Sequence, residues 1–201
     1  MYKKFLKRIL DFVTALAILI IFTPLLILLA VLVKITSKGP VFFRQSRGGK
    51  NGVYFEILKF RSMTEKKEND NSEFDAGSNL RVTKIGKFLR KTKLDELPQL
   101  INVLKGEMSF TGPRPEVKTY IDLYPERWKK VLTVRPGITD PASIEFRNEE
   151  EILAASDNPE EEYRKSILPS KLSYYEQYVD NISLLYDIKL VLKTIFVVLF
   201  K

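Results

Sequence analysis

One long apolar run dominates the first part of the chain. Residues 12–33 are 22 consecutive residues without a charged side chain. With a rise of ~1.5 Å per residue, a straight helix of that length reaches roughly 33 Å, enough to cross a bilayer core of ~30 Å. A signal peptide is disfavoured, because its apolar region usually has ~7–15 residues and is followed by a small-residue cleavage site. We therefore interpret the run as a membrane segment.

The middle and the flanks of this run argue against a simple span. Thr23 and Pro24 lie at its centre, and proline removes a backbone donor and clashes with the preceding turn, so we expect a bend or break there. Lysines and arginines flank both ends, and such flanks are typical of the cytoplasmic side. The residues alone leave two alternatives open: a re-entrant helix broken at Thr23–Pro24, or a kinked helix that crosses the bilayer.

The remaining pattern predicts short strands and amphipathic helices. Residues 41–45 and 53–60 have strand composition and are separated by a glycine-rich turn, which predicts a β-hairpin. Apolar residues at positions 97, 100, 101 and 104 follow the spacing of one buried helix face, with Gly106 as its stop. Further helices are predicted over 85–90, 119–131 and 163–179, and loops over 64–80 and much of the acidic stretch 149–162.

These elements predict a mostly helical α+β fold. An N-terminal membrane segment, residues 1–36, precedes a small globular domain, residues 37–201, that contains the hairpin. Residues 184–201 predict an amphipathic helix that packs on the core or lies in the membrane interface, since three charges interrupt its apolar positions.

Composition narrows the chemistry. The chain contains no Cys and no His, which excludes thiol nucleophiles, Ser-His-Asp triads and zinc sites built on these residues. Acid, base or nucleophile chemistry must come from Asp, Glu, Lys, Tyr, Ser or Thr, and a metal would be a hard, oxygen-bound cation such as Mg²⁺. The net charge of +8 favours a polyanionic partner: nucleic acid, an anionic membrane surface or a phosphorylated substrate.

The acidic pair Asp95–Glu96 is the first candidate for that chemistry. Pro98 is tolerated only in the first turn of a helix, which places Asp95 at or beside the N-cap. The structural interpretation is a helix cap, for which Asp is among the best residues. The functional one is an ionised nucleophile, or a pair that holds Mg²⁺ against a pyrophosphate.

Cations on restricted loops surround this pair in the sequence. Arg114 lies between two prolines, and Arg135 begins a second rigid turn, Arg-Pro-Gly. Further candidate phosphate ligands are Lys59, Arg61 and Arg90. A carboxylate pair among arginines suits phosphoryl transfer, in which positioning and charge neutralisation do most of the work. The sequence contains neither a Walker-type loop nor a dinucleotide fingerprint.

These motifs, in this order, resemble the bacterial sugar transferase family, whose small members are monotopic polyprenyl-phosphate phosphoglycosyl transferases. The resemblance covers almost the whole chain, and its most specific part extends from Leu94 to Pro115. The similar segments are residues 5–11 (FLKRILD), 43–49 (FRQSRGG), 58–63 (LKFRSM), 94–110 (LDELPQLINVLKGEMSF), 112–115 (GPRP) and 135–139 (RPGIT).

The resemblance implies a re-entrant helix broken at a Ser/Thr-Pro pair, matching Thr23–Pro24. It also implies that Asp95 attacks the sugar-bearing phosphate of a UDP-sugar and releases UMP, after which undecaprenyl phosphate takes the sugar phosphate from the enzyme. Glu96, with Asp95, would bind Mg²⁺ or assist proton transfer. The implied location is the cytoplasmic face of the bacterial inner membrane, where the chain would catalyse the first membrane step of glycoconjugate synthesis.

The family's phosphate-binding arginines match Arg90 and Arg114, while Lys59 and Arg61 lie in its Lys-Phe-Arg motif. Arg135 opens the Arg-Pro-Gly motif. Many relatives continue that motif with a sequence that differs from residues 140–149 here, although Arg147 keeps its counterpart's place. This departure indicates a distinct subgroup and leaves the identity of the sugar open.

Three other interpretations remain. A non-catalytic adaptor would use the positive charge to bind anionic lipid. Nucleic-acid binding is disfavoured by the membrane segment and by the lack of a known binding motif. Within the enzyme class, direct transfer in one ternary complex competes with the covalent route. An oligomer is compatible with all of these.

Overall fold

The predicted α+β class, mostly helical with a small hairpin, is confirmed. The structure is a computed structural model that describes residues 2–64 and 81–200, so the predicted loop over 64–80 lies almost entirely outside the described residues. The helices are α1 (Lys7–Thr36), α2 (Lys84–Thr92), α3 (Gln99–Lys105), α4 (Lys118–Ile121), α5 (Pro125–Val131), α6 (Pro141–Glu145), α7 (Glu149–Ala154), α8 (Pro159–Glu162), α9 (Leu168–Asn181) and α10 (Leu184–Phe200). The strands are β1 (Phe42–Gly48), β2 (Tyr54–Phe60), β3 (Ser109–Thr111) and β4 (Gly137–Thr139).

The predicted hairpin is formed by β1 and β2, which pair antiparallel. Phe43 lies opposite Lys59 and Gln45 opposite Ile57, so these four side chains share one face of the hairpin. Ile57 is buried on this face, against the core around α3. The hairpin therefore has one face turned toward the globular body, and Lys59 lies on that face.

A second sheet was not predicted. Strands β3 and β4 pair parallel, with Ser109 opposite Gly137. A Cβ atom at Gly137 would lie 2.2 Å from the backbone nitrogen of Gly112, so only glycine allows this approach of the two strands. This contact fixes the loop that follows β3, which carries Arg114.

Helix α1 continues through Pro24 without interruption. The predicted break into two helices at Thr23–Pro24 is therefore wrong. Pro24 removes one backbone donor, but the hydrogen bonds on either side keep the backbone helical, and the Thr23 hydroxyl donates to the carbonyl of Leu19 at 2.6 Å. A bend within a continuous helix, and with it a re-entrant path, stays a prediction.

Both halves of α1 lie against the same globular body. In its first half Ala15 packs with Val103 of α3, and in its second half Val33 packs with Phe60 and Leu89. The helix is long and apolar enough to cross a membrane, and its exposed apolar surface indicates membrane association. The large apolar residues exposed along it are Ile9, Leu10, Phe12, Val13, Leu16, Ile20, Ile21, Phe22, Ile27, Leu28, Val31 and Ile35. Because α1 packs against the rest, the division into residues 1–36 and 37–201 stays a prediction.

The C-terminal half is a cluster of short helices around Trp128 and Tyr175. The single helix predicted over 119–131 is two helices, because Pro125 starts a new one. The acidic stretch predicted mainly as loop forms α7 and α8. The predicted C-terminal amphipathic helix is α10, which buries Leu190 and exposes much of its remaining apolar surface.

Candidate active site

A buried amide fixes the elements that carry the site. Asn102 of α3 is fully buried, and its side chain accepts from the Leu58 backbone N–H at 3.0 Å. The same side chain donates to the Glu56 carbonyl at 2.8 Å. These bonds tie β2 to α3 and so set the distance between Lys59 and the acidic pair.

The acidic pair lies in a short 3₁₀ turn, Leu94–Glu96, between α2 and α3. Lys93 enters this turn with φ 57°, in the left-handed region. Of the two interpretations of Asp95, the structural one, a helix cap, does not hold: α3 begins at Gln99, and the Asp95 side chain makes no capping hydrogen bond. The carboxylate is therefore not used to start the helix.

Glu96 is the centre of a cationic clamp. Its Oε1 accepts from Lys59 Nζ at 2.7 Å and from an Arg114 guanidinium nitrogen at 2.8 Å. Burial alone would raise the pKa of Glu96, but the charges and hydrogen bonds of Arg114 and Lys59 outweigh it and hold the pKa well below its usual range. Glu96 is therefore ionised at neutral pH and anchors both cations.

Asp95 lies beside this clamp without belonging to it. The residue is 7% exposed, and within residues 2–64 and 81–200 its buried Oδ1 has no hydrogen-bond partner. Burial raises the pKa of Asp95, while the positive charge of Lys59 partly opposes that rise. A buried carboxylate oxygen without a partner costs free energy unless a ligand uses it, so Asp95 is the member of the pair that is left open to a ligand.

Arg114 is held in place by rigid neighbours and by charge. It lies between Pro113 and Pro115 in the loop after β3. The carboxylate of Glu96 raises the pKa of Arg114 well above its usual value against the opposing effect of burial, and the buried Asp140 adds to the rise. The guanidinium thus keeps its charge and a defined position next to the acidic pair.

A match to a known protein family decides where this chain belongs. The family described as "Bacterial sugar transferase" matches residues 2–201.

The chain belongs to the bacterial sugar transferase family.

The relatives of this chain include proteins that are much longer and one that is of similar length. The chain is 38% identical over 194 residues to the UDP-N-acetylgalactosamine-undecaprenyl-phosphate N-acetylgalactosaminephosphotransferase of Aeromonas hydrophila, covering 95% of this chain and 43% of the relative. It is 41% identical over 195 residues to the UDP-glucose:undecaprenyl-phosphate glucose-1-phosphate transferase of Klebsiella pneumoniae, covering 94% and 39%. It is 37% identical over 204 residues to the exopolysaccharide production protein ExoY of Rhizobium meliloti, covering 94% and 83%. The chain thus spans about two fifths of the length of the first two.

The other predicted phosphate-binding arginines lie outside the clamp. Arg61 is buried and donates to the Ser37 carbonyl at 2.7 Å, at the end of α1. Arg90 pairs with Glu150 of α7.

Two more of these arginines are farther along the chain. Arg135 donates to the carbonyl of Gly106 at 2.7 Å, which ties its loop to the end of α3. Arg147 is exposed and makes no hydrogen bond or ion pair to the described part of the chain. The structure thus brings Lys59 and Arg114 to the acidic pair, and the substrate-binding roles of Arg61, Arg90, Arg135 and Arg147 stay predictions.

The donor set at the pair is compatible with a magnesium ion in one specific way. Among the described residues, no group of three or more acidic side chains converges. Mg²⁺ in proteins is commonly held by one or two carboxylates together with phosphate oxygens of the substrate. The free Oδ1 of Asp95 and the carboxylate of Glu96 fit this arrangement, in which the substrate supplies the remaining ligands.

The sequence interpretation missed a pocket that opens directly beside the clamp. It is bounded by β1, β2 and the loop after β3, and its lining residues are Phe43, Gln45, Arg47, Ile57, Lys59, Arg114 and Pro115. The signal was present in the alternation of β1, because residues two apart point to the same face. The pocket was not predicted because the glycine-rich composition from Ser46 onward suggested that the strand ends at residue 45, whereas β1 extends to Gly48.

Proposed function

We propose that this chain transfers a sugar-1-phosphate from a UDP-sugar to undecaprenyl phosphate through a covalent intermediate on Asp95. The observation that carries the proposal is the buried, unpartnered Oδ1 of Asp95 beside a Glu96 that fixes two cations. The names of the relatives support the substrate classes, since each transferase name pairs a UDP-sugar with undecaprenyl phosphate.

In the first step, an Oδ atom of Asp95 attacks the phosphorus that carries the sugar. A new bond forms between this oxygen and phosphorus, and the bond from that phosphorus to the bridging oxygen of the pyrophosphate breaks. UMP leaves with the bonding electron pair, and the sugar phosphate stays on Asp95 as an acyl phosphate. Lys59 and Arg114, both next to the pair, would neutralise the charge that develops on the phosphate oxygens.

In the second step, a phosphate oxygen of undecaprenyl phosphate attacks the same phosphorus. The bond between phosphorus and Asp95 breaks, which regenerates the free carboxylate and yields undecaprenyl diphosphate-linked sugar. The two steps use one set of cations, because each passes through a phosphorus centre at the same place. Glu96 takes no part in either bond and holds the cations in position.

Magnesium belongs to this proposal as a cofactor held by Asp95 and Glu96. When bound, it would neutralise charge on the pyrophosphate oxygens of the donor. Lys59 and Arg114 do not need the metal to hold their positions, because Glu96 forms an ion pair with each of them.

The proposed location is the cytoplasmic face of the bacterial inner membrane, with α1 following a re-entrant path. The ends of α1 support this placement. Arg8, near its start, donates to the Leu104 carbonyl at 2.9 Å, and Ser37, just past its end, accepts from Arg61. A helix that crossed the bilayer would carry its two ends to opposite sides, whereas both ends here contact one globular body.

A donor panel tests the proposal. The protein, purified in detergent, is incubated with each of several UDP-sugars, with and without undecaprenyl phosphate, and UMP and lipid-linked product are measured. We expect one or a few donors to yield lipid-linked sugar and UMP in equal amounts. Absence of UMP with every donor, while the protein still binds anionic vesicles, would favour a membrane adaptor.

A further inference from the structure

The pocket beside the clamp is a small recess that is partly open to solvent. The space inside it, with the solvent-facing part included, is about 310 Å³. Lys59 and Arg114 form one side of it, so a ligand whose phosphates contact these cations can extend into the pocket.

The polar side chains of the pocket are oriented by a hydrogen-bonded chain. Glu116 accepts from Arg47 Nη1 at 2.8 Å, and Arg47 Nη2 donates to Gln45 Oε1 at 2.7 Å. This chain fixes the Gln45 amide so that its NH₂ group is left over, and that group has no partner in the part of the chain that the structure describes. The buried Nε of Arg47 is likewise unpartnered there.

The rest of the lining is apolar. Phe43 is 44% exposed and lies on the same hairpin face as Gln45, while Ile57 and Pro115 complete the wall. A pocket with an accessible aromatic ring, an aliphatic floor and unused N–H donors suits a flat heterocycle that carries carbonyl acceptors.

We propose that this pocket binds the pyrimidine base of the donor nucleotide, with Gln45 donating to a base carbonyl and Phe43 contacting the ring. The inference rests on the proposed function, which places the donor's pyrophosphate at Lys59 and Arg114. Gln45 thereby becomes a specificity-determining residue that acts on donor binding and not on bond breaking.

The two other parts of the substrates fit this lining less well. A sugar presents several hydroxyl groups that each need a partner, whereas the pocket offers few polar groups beyond the clamp. An isoprenoid chain would leave the Gln45 amide and the buried Arg47 Nε without partners, which costs free energy. A uracil ring uses both the apolar wall and the donors.

The test compares Gln45→Ala with Ser46→Ala, a matched control on the opposite hairpin face. UMP and inorganic pyrophosphate are titrated into each detergent-purified protein by calorimetry, which requires no turnover. We expect Gln45→Ala to weaken UMP binding about tenfold through one lost hydrogen bond, with pyrophosphate binding unchanged. Ser46→Ala should match the wild type for both ligands.

Two further variants test the Gln45 N–H donor and the Phe43 ring separately. Gln45→Glu keeps the acceptor for Arg47 and removes the donor, so it should weaken UMP binding at least as much as Gln45→Ala. Phe43→Leu should weaken UMP binding about fivefold or more through lost stacking, and Phe42→Leu, on the other face, should not.

Steady-state kinetics complete the experiment. Gln45→Ala should raise the KM for the UDP-sugar about tenfold and leave kcat and the KM for undecaprenyl phosphate unchanged. Unchanged UMP binding, an equal loss of pyrophosphate binding, or a raised KM for the lipid would overturn the assignment. Failure of the proposed function is distinguishable, because wild-type protein would then bind UMP and release none from any UDP-sugar.

Discussion

Two buried aspartates in this molecule have almost the same exposure and opposite surroundings. Asp95 is 7% exposed and Asp187, on α10, is 6% exposed. Asp187 accepts from Lys7 at 2.6 Å, from Tyr2 at 2.5 Å and from Tyr178 at 2.8 Å. Asp95 has a buried Oδ1 with no partner among the described residues.

The difference is between a carboxylate that the fold satisfies with hydrogen bonds and one that it leaves unsatisfied. Asp187 is satisfied on both oxygens and joins the start of α1 to α9 and α10, so its charge stabilises the fold. An unsatisfied buried oxygen costs about 1–3 kcal/mol. The proposed attack of Asp95 on phosphorus would explain why the chain carries that cost at this position. Burial is therefore a poor guide to function by itself, and hydrogen-bond satisfaction is a better one.

Asp95→Asn should have the largest effect on activity. The amide keeps the shape of the side chain and removes the nucleophile, so UMP release should fall at least about 10³-fold. Stability should stay unchanged or rise, because a buried charge without full compensation is removed. Donor turnover and thermal melting of the same preparation check both. The exposed Asp122→Asn is the matched control and should leave activity unchanged; wild-type turnover by Asp95→Asn would refute the assignment.

Glu96→Gln should have the next largest effect. Without the carboxylate, Lys59 and Arg114 lose their shared anchor, and kcat should drop about 10²-fold, the range found for lost electrostatic groups in active sites. Steady-state kinetics check this, with the exposed Glu126→Gln as control. A change in kcat of less than about threefold would show that Glu96 does not organise the site.

Asp187→Asn should affect stability and leave activity nearly unchanged. It leaves Lys7, which is only 13% exposed, without its counter-charge and should reduce the free energy of unfolding by about 3 kcal/mol. Activity of the protein that remains folded should stay near wild type. Denaturant titration measures the loss, and the exposed pair partner Asp180→Asn should lose less than about 1 kcal/mol. Equal losses in both variants would contradict a structural role for the buried pair.

Lys93→Asn should have the smallest effect, on the pH profile. The positive charge of Lys93 lowers the pKa of Asp95, so removing it raises that pKa. The proposed attack needs an ionised Asp95, so on acidification the variant should lose activity at a higher pH than the wild type does. Asn tolerates the left-handed backbone at this position. Lys91→Gln is the control, and a shift to lower pH in Lys93→Asn would contradict the account.

Periodicity predicted the elements whose side chains alternate between core and solvent. The hairpin, α3 and α10 followed from spacing, since burial of one face imposes a period of two or 3.6. Strands β3 and β4 were not predicted, because three residues are too few to show an alternation of buried and exposed side chains. The predicted break at Pro24 was wrong because proline removes only one backbone hydrogen bond, and the backbone hydrogen bonds of the neighbouring turns keep the helix continuous.

The residue types at the site were predictable, and their pairing was not. Lys59, Arg61, Arg90 and Arg114 have the same charge in the sequence, yet only Lys59 and Arg114 reach Glu96. The choice depends on contacts distant in sequence, such as the Asn102 side chain that fixes β2 beside α3. A motif shows which cations are available, and the packing determines which of them face the carboxylate.

Detection of a sugar phosphate bound to the protein would show whether Asp95 is the nucleophile. Intact-protein mass spectrometry after addition of the productive UDP-sugar, without undecaprenyl phosphate, should show wild-type protein heavier by one sugar phosphate. Asp95→Asn should show no such increase, and adding undecaprenyl phosphate to the loaded wild type should restore the original mass. Lipid-linked product formed with no adduct at any time, or an adduct that persists in Asp95→Asn, would contradict the account.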